Sequence, residues 1–205
     1  PVVVWIHGGS LVSGSARSGM YDGAILAKRG VMVVSINYRL GVLGYLAHPD
    51  LSAESPDKVS GNYGLLDQIA ALEWVKRNIA AFGGDPDNVT VAGESAGGLS
   101  ILYLMAAPKA RGLFHKAIIE SAYMVSTPAL KEARHGELAA ETIGTNLESK
   151  LGVRGLVRLR AMDATDLTYK AVMAGYPPFG NIDGKVLPKQ LVDVFDAGEQ
   201  AQVPV

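Results

Sequence analysis

Residues 93–97, Gly93-Glu94-Ser95-Ala96-Gly97, form a Gly-x-Ser-x-Gly pattern between two apolar segments. The preceding run, 89–92, is β-branched and predicts a strand, whereas residues 99–105 have apolar side chains at helical spacing. Glycines at such a junction let strand and helix approach closely and tolerate strained backbone angles. Ser95 would then stand at a helix N-terminus, where N–H groups and the helix dipole favour negative charge. This is the position that the serine nucleophile of an acyl transfer requires.

A second glycine motif, His7-Gly8-Gly9-Ser10, follows another continuous apolar run at 2–6. A serine hydroxyl needs a base to become nucleophilic, and the tetrahedral oxyanion needs donors that are already in place. The N–H of Ala96 is one predicted oxyanion donor, and the backbone of Gly9 and Ser10 is suited to supply the others. Because a Gly-x-Ser-x-Gly pattern often arises by chance, the indication of catalysis comes from the two motifs together, each following a predicted buried strand.

The elements that must position these motifs alternate between strand and helix, which predicts an α/β fold with a mostly parallel sheet flanked by helices. Strands are predicted at 2–6, 31–36, 89–92 and 117–119. Residues 46–60 are polar and Pro-bearing, and we interpret them as a surface excursion. Helices are predicted at 22–29, 65–82, 99–105, 126–143, 155–162, 167–173 and 189–197.

Three parts of the chain differ in character. Residues 1–125 carry the alternation and both motifs, and are predicted to form the core with the nucleophile turn. Residues 126–175 are mostly helical in pattern and predict a cap-like insertion. Residues 176–205 contain turns and one short helix, and are predicted to return to the core and end at the start of a strand.

The composition excludes several classes of function. Hydrophobic residues make up 48% of the 205 residues and the formal net charge is −1, so no basic field favours nucleic acid as a partner. No apolar run reaches transmembrane length, and a membrane partner is not expected. The absence of cysteine excludes disulfides, thiolate metal sites and a cysteine nucleophile. It also favours a reducing, cytoplasmic location, although the localisation otherwise stays open.

Several longer stretches resemble the type-B carboxylesterase family, which includes carboxylesterases, bacterial p-nitrobenzyl esterases and cholinesterases. The resemblance is dense over residues 1–122 and thinner afterwards, with a further stretch at 179–188. The matching stretches are Val4-Trp5-Ile6-His7-Gly8-Gly9, Asn37-Tyr38-Arg39-Leu40-Gly41, Gly61-Asn62-Tyr63-Gly64-Leu65-Leu66-Asp67-Gln68, Phe82-Gly83-Gly84-Asp85-Pro86, Gly93-Glu94-Ser95-Ala96-Gly97-Gly98 and Gly112-Leu113-Phe114-His115-Lys116-Ala117.

The resemblance implies part of an α/β-hydrolase fold and a Ser-Glu-His triad that cleaves small carboxylic esters through an acyl-enzyme, with no metal or organic cofactor. By motif match, the nucleophile is Ser95 and the oxyanion donors are Gly9, Ser10 and Ala96.

Two further residues are assigned by the resemblance alone. Glu94 is the acidic neighbour of the nucleophile, and either a hydrogen-bonded supporting carboxylate or an electrostatic role in catalysis is open to it. Ser121 occupies the place of a serine near the family's triad. The chain departs from the family pattern at Ser10, usually Gly or Ala, and at Leu11, usually aromatic, which changes the pocket wall.

The ends of the chain predict a piece of a longer polypeptide. It begins at Pro1 inside a predicted strand, and residues 203–205 resemble the strand that precedes the family's triad acid. The family's histidine lies still further on. We therefore expect the acid and the histidine to be missing, the chain alone to be inactive or weakly active, and the remainder of the polypeptide to be a partner.

No histidine of the chain matches the family's base. His7 is expected to make a positioning hydrogen bond, His48 to be solvated in a loop, His115 to be structural and partly buried, and His135 to be exposed on a helix. Two alternatives stay open: a non-catalytic, cholinesterase-like interaction domain, and an autonomous small esterase that uses a local histidine. The intact Ser95 motif counts against the first, and these histidine positions count against the second.

Overall fold

A parallel sheet organises the structure, a computed structural model that describes residues 1–124 and 126–205. Its strands are β1 (Val2–Ile6), β2 (Met32–Ile36), β3 (Val89–Glu94) and β4 (Lys116–Glu120). In the part of the chain described, the strand order is β2-β1-β3-β4 and every pairing is parallel. All four strands therefore end at the same edge of the sheet, and the four predicted strands are confirmed with small shifts of their ends.

One face of the central strands is completely covered. Val2, Val4 and Ile6 of β1 are fully buried, as are Val89 and Val91 of β3, whereas Val3 and Trp5 on the other face of β1 are half-buried. The register sets Ile6 opposite Gly93, which fixes the turn after β1 beside the turn after β3.

Helices connect and flank these strands. The helix predicted at 65–82 is α4, which begins at Tyr63, ends at Asn78 and continues as a 3₁₀ turn over Ile79–Phe82. The helix after Ser95 is α5 (Ala96–Ala106), and every one of its residues is buried. The other helices are α1 (Ala24–Ala27), α2 (Gly41–Tyr45), α3 (Pro49–Glu54), α6 (Ala140–Lys150), α7 (Leu156–Arg160), α8 (Ala164–Met173) and α9 (Leu191–Asp196). None of these helices is both long enough and apolar enough to cross a membrane.

The chain forms two compact units. The first contains the sheet and consists of residues 1–38, 65–124 and 191–205. The second consists of residues 39–64 and 126–190, and its core includes Val42, Leu147 and Leu159. Residues 39–64 thus belong to the same compact unit as residues 126–190. The sequence analysis instead placed them in a core formed by residues 1–125. The division into 1–125, 126–175 and 176–205 stays a prediction about domains, and residue 125 lies outside the described residues.

The helix predicted over 126–143 is wrong for most of its length, because α6 begins only at Ala140. The backbone of the preceding segment pairs elsewhere. The N–H of Ile182 donates to Pro128 O at 2.9 Å, and the N–H of Leu130 donates to Ile182 O at 3.0 Å. His135 accordingly lies in a turn at φ 54°, exposed but not helical.

Residues 46–60 form a surface excursion only in part. Residues 53–54 and 56–58 are exposed, but α3 lies within the segment and His48, Ser52 and Ser60 are buried. His48 is 3% exposed. Its Nδ1 accepts from the N–H of Asp50 at 3.2 Å, so Nε2 carries the proton and donates to Glu148 at 2.9 Å. The sequence missed this burial because the partner of His48 lies 100 residues away.

Trp74 of α4 is 43% exposed and packs beside Phe82 with 5.8 Å between ring centroids. Unlike α5, helix α4 buries only one face, and Trp74 lies on its outer face.

Glu148→Gln is expected to lower the free energy of unfolding at pH 7 by about 1–3 kcal/mol, since Glu148 accepts hydrogen bonds from the N–H of Gly155 and from His48. These two contacts hold the pKa of Glu148 below its usual range. The stabilisation is therefore present above the unfolded-state pKa and disappears as the pH falls through the folded-state pKa. Urea unfolding at pH 7 and in the acid range measures both effects.

Glu54→Gln is the matched control, because Glu54 pairs with Arg160 at 2.7 Å but both side chains are more than half exposed. Solvent screens such a pair, so the control should change stability little. Equal losses for the two variants would contradict the role assigned to the buried contact.

Candidate active site

Ser95 stands at the junction of β3 and α5 in a strained conformation, with φ 56° and ψ −118°. Its N–H donates to Glu120 O at 2.9 Å, and its carbonyl accepts from the N–H of Leu99 at 2.9 Å. Ser95 is half-buried, and its side chain does not cap the helix. The backbone is thus held on both sides while the hydroxyl is not committed to the helix.

Two glycines make this junction possible. A Cβ on Gly97 would lie 2.1 Å from Ile6 O, and a Cβ on Gly93 would lie 2.8 Å from the same oxygen. Real Cβ atoms do not approach a carbonyl oxygen so closely. The pattern therefore has glycine at both positions because α5 is in direct contact with the end of β1.

The loop after β1 lies directly against this junction. A Cβ on Gly8 would be 2.7 Å from Glu94 O and 3.3 Å from the Cβ of Ser95. Gly9 follows at φ 110°, and its carbonyl accepts from the N–H groups of Val12 and Ser13 at 3.0 Å each. Gly9 and Ser10 are both exposed. The two sequence motifs are therefore adjacent in space.

The departures from the family pattern sit within this loop. Ser10 and Leu11 have φ 56° and 58°, a region that favours glycine. Leu11 is fully buried, so its side chain packs inside the fold.

His7 makes the positioning hydrogen bond expected of it. Its Nδ1 lies 2.8 Å from Gly8 O, and because a carbonyl oxygen can only accept, Nδ1 carries the proton. The ring is 1% exposed and stacks on Tyr38. A ring buried in this way orients the loop and is not available as a base for an incoming substrate.

The other predicted site residues lie at the same edge of the sheet. Ala96 is the first residue of α5, where a backbone N–H has no carbonyl partner within the helix. Glu94 is half-buried, and its Oε2 would lie 3.1 Å from a Cβ on Gly8. Ser121 is exposed at φ 48° directly after β4. At this position Glu94 could act either as a hydrogen-bonded supporting carboxylate or electrostatically.

His115 is placed far from Ser95. Its Nδ1 accepts from the N–H of Val89 at 3.2 Å, at the opposite end of β3. Six residues of extended strand span about 20 Å, so His115 is structural, as predicted. His48 and His135 belong to the second unit. Within residues 1–124 and 126–205, no cluster of three or more His, Cys, Asp or Glu side chains is arranged to hold a metal ion.

Sequence reasoning missed the carbonyl of Glu120 as the anchor of the Ser95 N–H. The signal was weak, because Glu120 is simply the last residue of a short strand. The register of the sheet explains this contact, because β4 pairs with β3 so that Glu120 lies opposite Glu94, the residue before Ser95.

Comparison with known proteins gives a consistent picture. A sequence model described as "Carboxylesterase family" matches residues 1–205. The chain is 43% identical to fumonisin B1 esterase of Sphingopyxis macrogoltabida and 43% identical to para-nitrobenzyl esterase of Bacillus subtilis strain 168, in each case over its whole length. It covers 38% and 42% of those two proteins, and so spans about two fifths of their length. A thermophilic PNB esterase structure superposes with a TM-score of 0.84 at 40% identity, over 97% of this chain and 41% of the other.

Proposed function

Because the chain belongs to the carboxylesterase family and has the α/β-hydrolase fold, we propose that it carries the nucleophile and oxyanion donors of a serine carboxylic-ester hydrolase. The observation that carries the proposal is the strained Ser95 at the head of α5, with the loop of Gly8 packed against it. Relatives named as esterases of fumonisin B1 and of para-nitrobenzyl esters support small carboxylic esters as the substrate class.

The proposed reaction begins with attack of Ser95 Oγ on the ester carbonyl carbon while a base accepts the hydroxyl proton. The oxyanion that forms accepts hydrogen bonds from the backbone N–H groups of Gly9, Ser10 and Ala96. The alcohol leaves with the proton, and water then hydrolyses the acyl-enzyme through a second oxyanion. Loss of one such donor costs about 10²–10³ in kcat in comparable sites.

The triad acid and histidine are proposed to lie outside the described residues. His7 is enclosed against Tyr38, and His115 is at the far end of β3. The chain alone is therefore proposed to be inactive or weakly active, with the rest of its polypeptide as the partner that completes the site. We propose that two residues support Ser95. Glu94, the last residue of β3, does so either as a hydrogen-bonded supporting carboxylate or electrostatically, and Ser121 does so from the end of β4.

The placement of the histidines also favours a second candidate, a non-catalytic interaction domain of cholinesterase-like type. Such a domain has no need of a nucleophile, so it predicts no selective reactivity at Ser95. The strained backbone of Ser95 favours the esterase, because strain of this kind persists where the surroundings enforce it and accompanies function.

The test uses the native polypeptide that contains this chain, after its mass has been measured. A fluorophosphonate probe is expected to form one adduct, located at Ser95 in the tryptic peptide 78–109, and p-nitrophenyl acetate is expected to be hydrolysed. A native polypeptide that neither labels at Ser95 nor turns over the ester would favour the interaction domain. Rapid turnover by a native chain of 21.6 kDa would instead show that a local base completes the site.

A further inference from the structure

We propose that Tyr38 is a positioning residue that holds the loop 7–10 in register with the N-terminus of α5. This inference rests on the proposed function, because it assigns Tyr38 to the alignment of the oxyanion donors. Tyr38 comes two residues after β2 ends at Ile36. It touches neither substrate nor reacting atoms, and it acts through the backbone and the ring of His7.

One half of the connection reaches the oxyanion loop. The Tyr38 hydroxyl donates to His7 O at 2.6 Å, and its ring stacks on the His7 ring with 4.6 Å between centroids and 22° between planes. The carbonyl of His7 and the N–H of Gly8 belong to the same peptide group, which is planar. Fixing that oxygen therefore fixes the direction in which the loop leaves β1 towards Gly9 and Ser10.

The other half of the connection is the packing of this loop against the N-terminus of α5. A Cβ on Gly8 would lie 2.7 Å from Glu94 O and 3.3 Å from the Cβ of Ser95. The first turn of α5 is held separately, because Ser100 donates its hydroxyl to Ala96 O at 2.8 Å and accepts from the Gln68 amide at 3.0 Å. A loop held by Tyr38 therefore keeps its position against a helix end that is itself fixed.

Burial makes this connection strong and specific. Tyr38 is 7% exposed, and Ser100 and Gln68 are 1% and 0% exposed. Hydrogen bonds in such a low-dielectric site are stronger than in water, and loss of one partner leaves the other unsatisfied. Burial also holds the pKa of the Tyr38 phenol well above its ordinary value. The phenol therefore remains a donor at neutral and moderately alkaline pH.

The expected catalytic effect follows from how an oxyanion hole works. Its donors must already stand at the distance of the developing oxyanion, and a misplacement of about 1 Å can cost about 10²-fold in rate. Without the Tyr38 hydroxyl the His7 carbonyl loses its donor and the loop is free to shift against α5, while the pocket that binds the substrate keeps its side chains. We expect Tyr38→Phe to lower kcat by about 10-fold or more and to leave KM within about 2-fold.

The experiment compares Tyr38→Phe with the unchanged native polypeptide, using p-nitrophenyl acetate for kcat and KM and a trifluoromethyl ketone as an analogue of the tetrahedral intermediate. Tyr176→Phe is the matched control, since Tyr176 also donates its phenol, in a partly buried hydrogen bond, to a backbone carbonyl, Tyr45 O at 2.9 Å, but lies in the second unit. The Tyr38 variant should bind the ketone more weakly by the same factor as its loss in kcat. The control should melt at a lower temperature with unchanged kcat.

Each outcome decides the proposal. An unchanged kcat for Tyr38→Phe, or equal changes in kcat for both tyrosine variants, would overturn it while leaving the proposed function intact. If Tyr38→Phe does not fold, His7→Phe keeps a ring to stack on Tyr38 but removes the Nδ1 hydrogen bond to Gly8 O, so it loosens the same loop. Its kcat should fall with little change in KM, and an unchanged kcat would overturn the proposal. If the unchanged polypeptide hydrolyses no ester, the proposed function fails and this inference fails with it.

Discussion

Gly97→Ala is expected to destabilise the fold by more than about 4 kcal/mol or to prevent folding altogether. The added Cβ would lie 2.1 Å from Ile6 O and 3.0 Å from the carbonyl carbon of Ile6. Neither atom can move away freely, because Ile6 is paired with Ile36 on one side and with Gly93 on the other. Relief of the overlap must displace α5 or break the central pairing of the sheet. Denaturant unfolding monitored by circular dichroism measures the loss.

Gly19→Ala is the matched control for Gly97→Ala. A Cβ on Gly19 would meet no heavy atom within 4 Å, and its φ is not in the left-handed region. This variant should stay within about 0.5 kcal/mol of the parent, as surface substitutions usually do. If Gly97→Ala were equally mild, the contact between α5 and β1 would not constrain the junction as described.

Ser95→Ala is expected to abolish fluorophosphonate labelling and to reduce ester hydrolysis by the native polypeptide at least about 10³-fold, as loss of the nucleophile does in serine hydrolases. The fold should survive, because the side chain of Ser95 does not cap α5 and its N–H still donates to Glu120 O. Intact-mass measurement after labelling, together with steady-state rates, provides the readout. The melting temperature should remain close to that of the parent.

Ser149→Ala supplies the comparison for Ser95→Ala. Ser149 is exposed in α6, and its hydroxyl donates to Thr145 O at 3.0 Å, as helix serines commonly do. Labelling and turnover should not change in this variant. If the Ser95→Ala variant still formed a single stoichiometric adduct, the labelled residue would have to be another serine. That result would contradict the assignment of Ser95 as the nucleophile.

Local patterns of the sequence determined the four strands and the junction at Ser95. Each depends on residues close together in the chain: a β-branched run before Gly93, an apolar run before His7 and helical spacing after Ser95. Parallel connection places all strand ends at one edge. The pairing of β1 with β3, which the structure supplies, then brings the two motifs side by side. The predicted donors and nucleophile share that edge for this reason, although their catalytic roles remain proposals.

Only the tertiary structure decided which distant groups meet. His48 is buried because Glu148 accepts a hydrogen bond from its Nε2–H, and the segment before α6 is not helical because its backbone pairs with Ile182. Tyr38 is tied to His7 across 31 residues, and Gln68 to Ser100 across 32. No periodicity or capping signal encodes such partners, since a polar side chain is equally compatible with water until the fold removes the water and supplies another group. The sequence by itself therefore determined where Ser95 stands, and the tertiary structure decided what holds its surroundings in place.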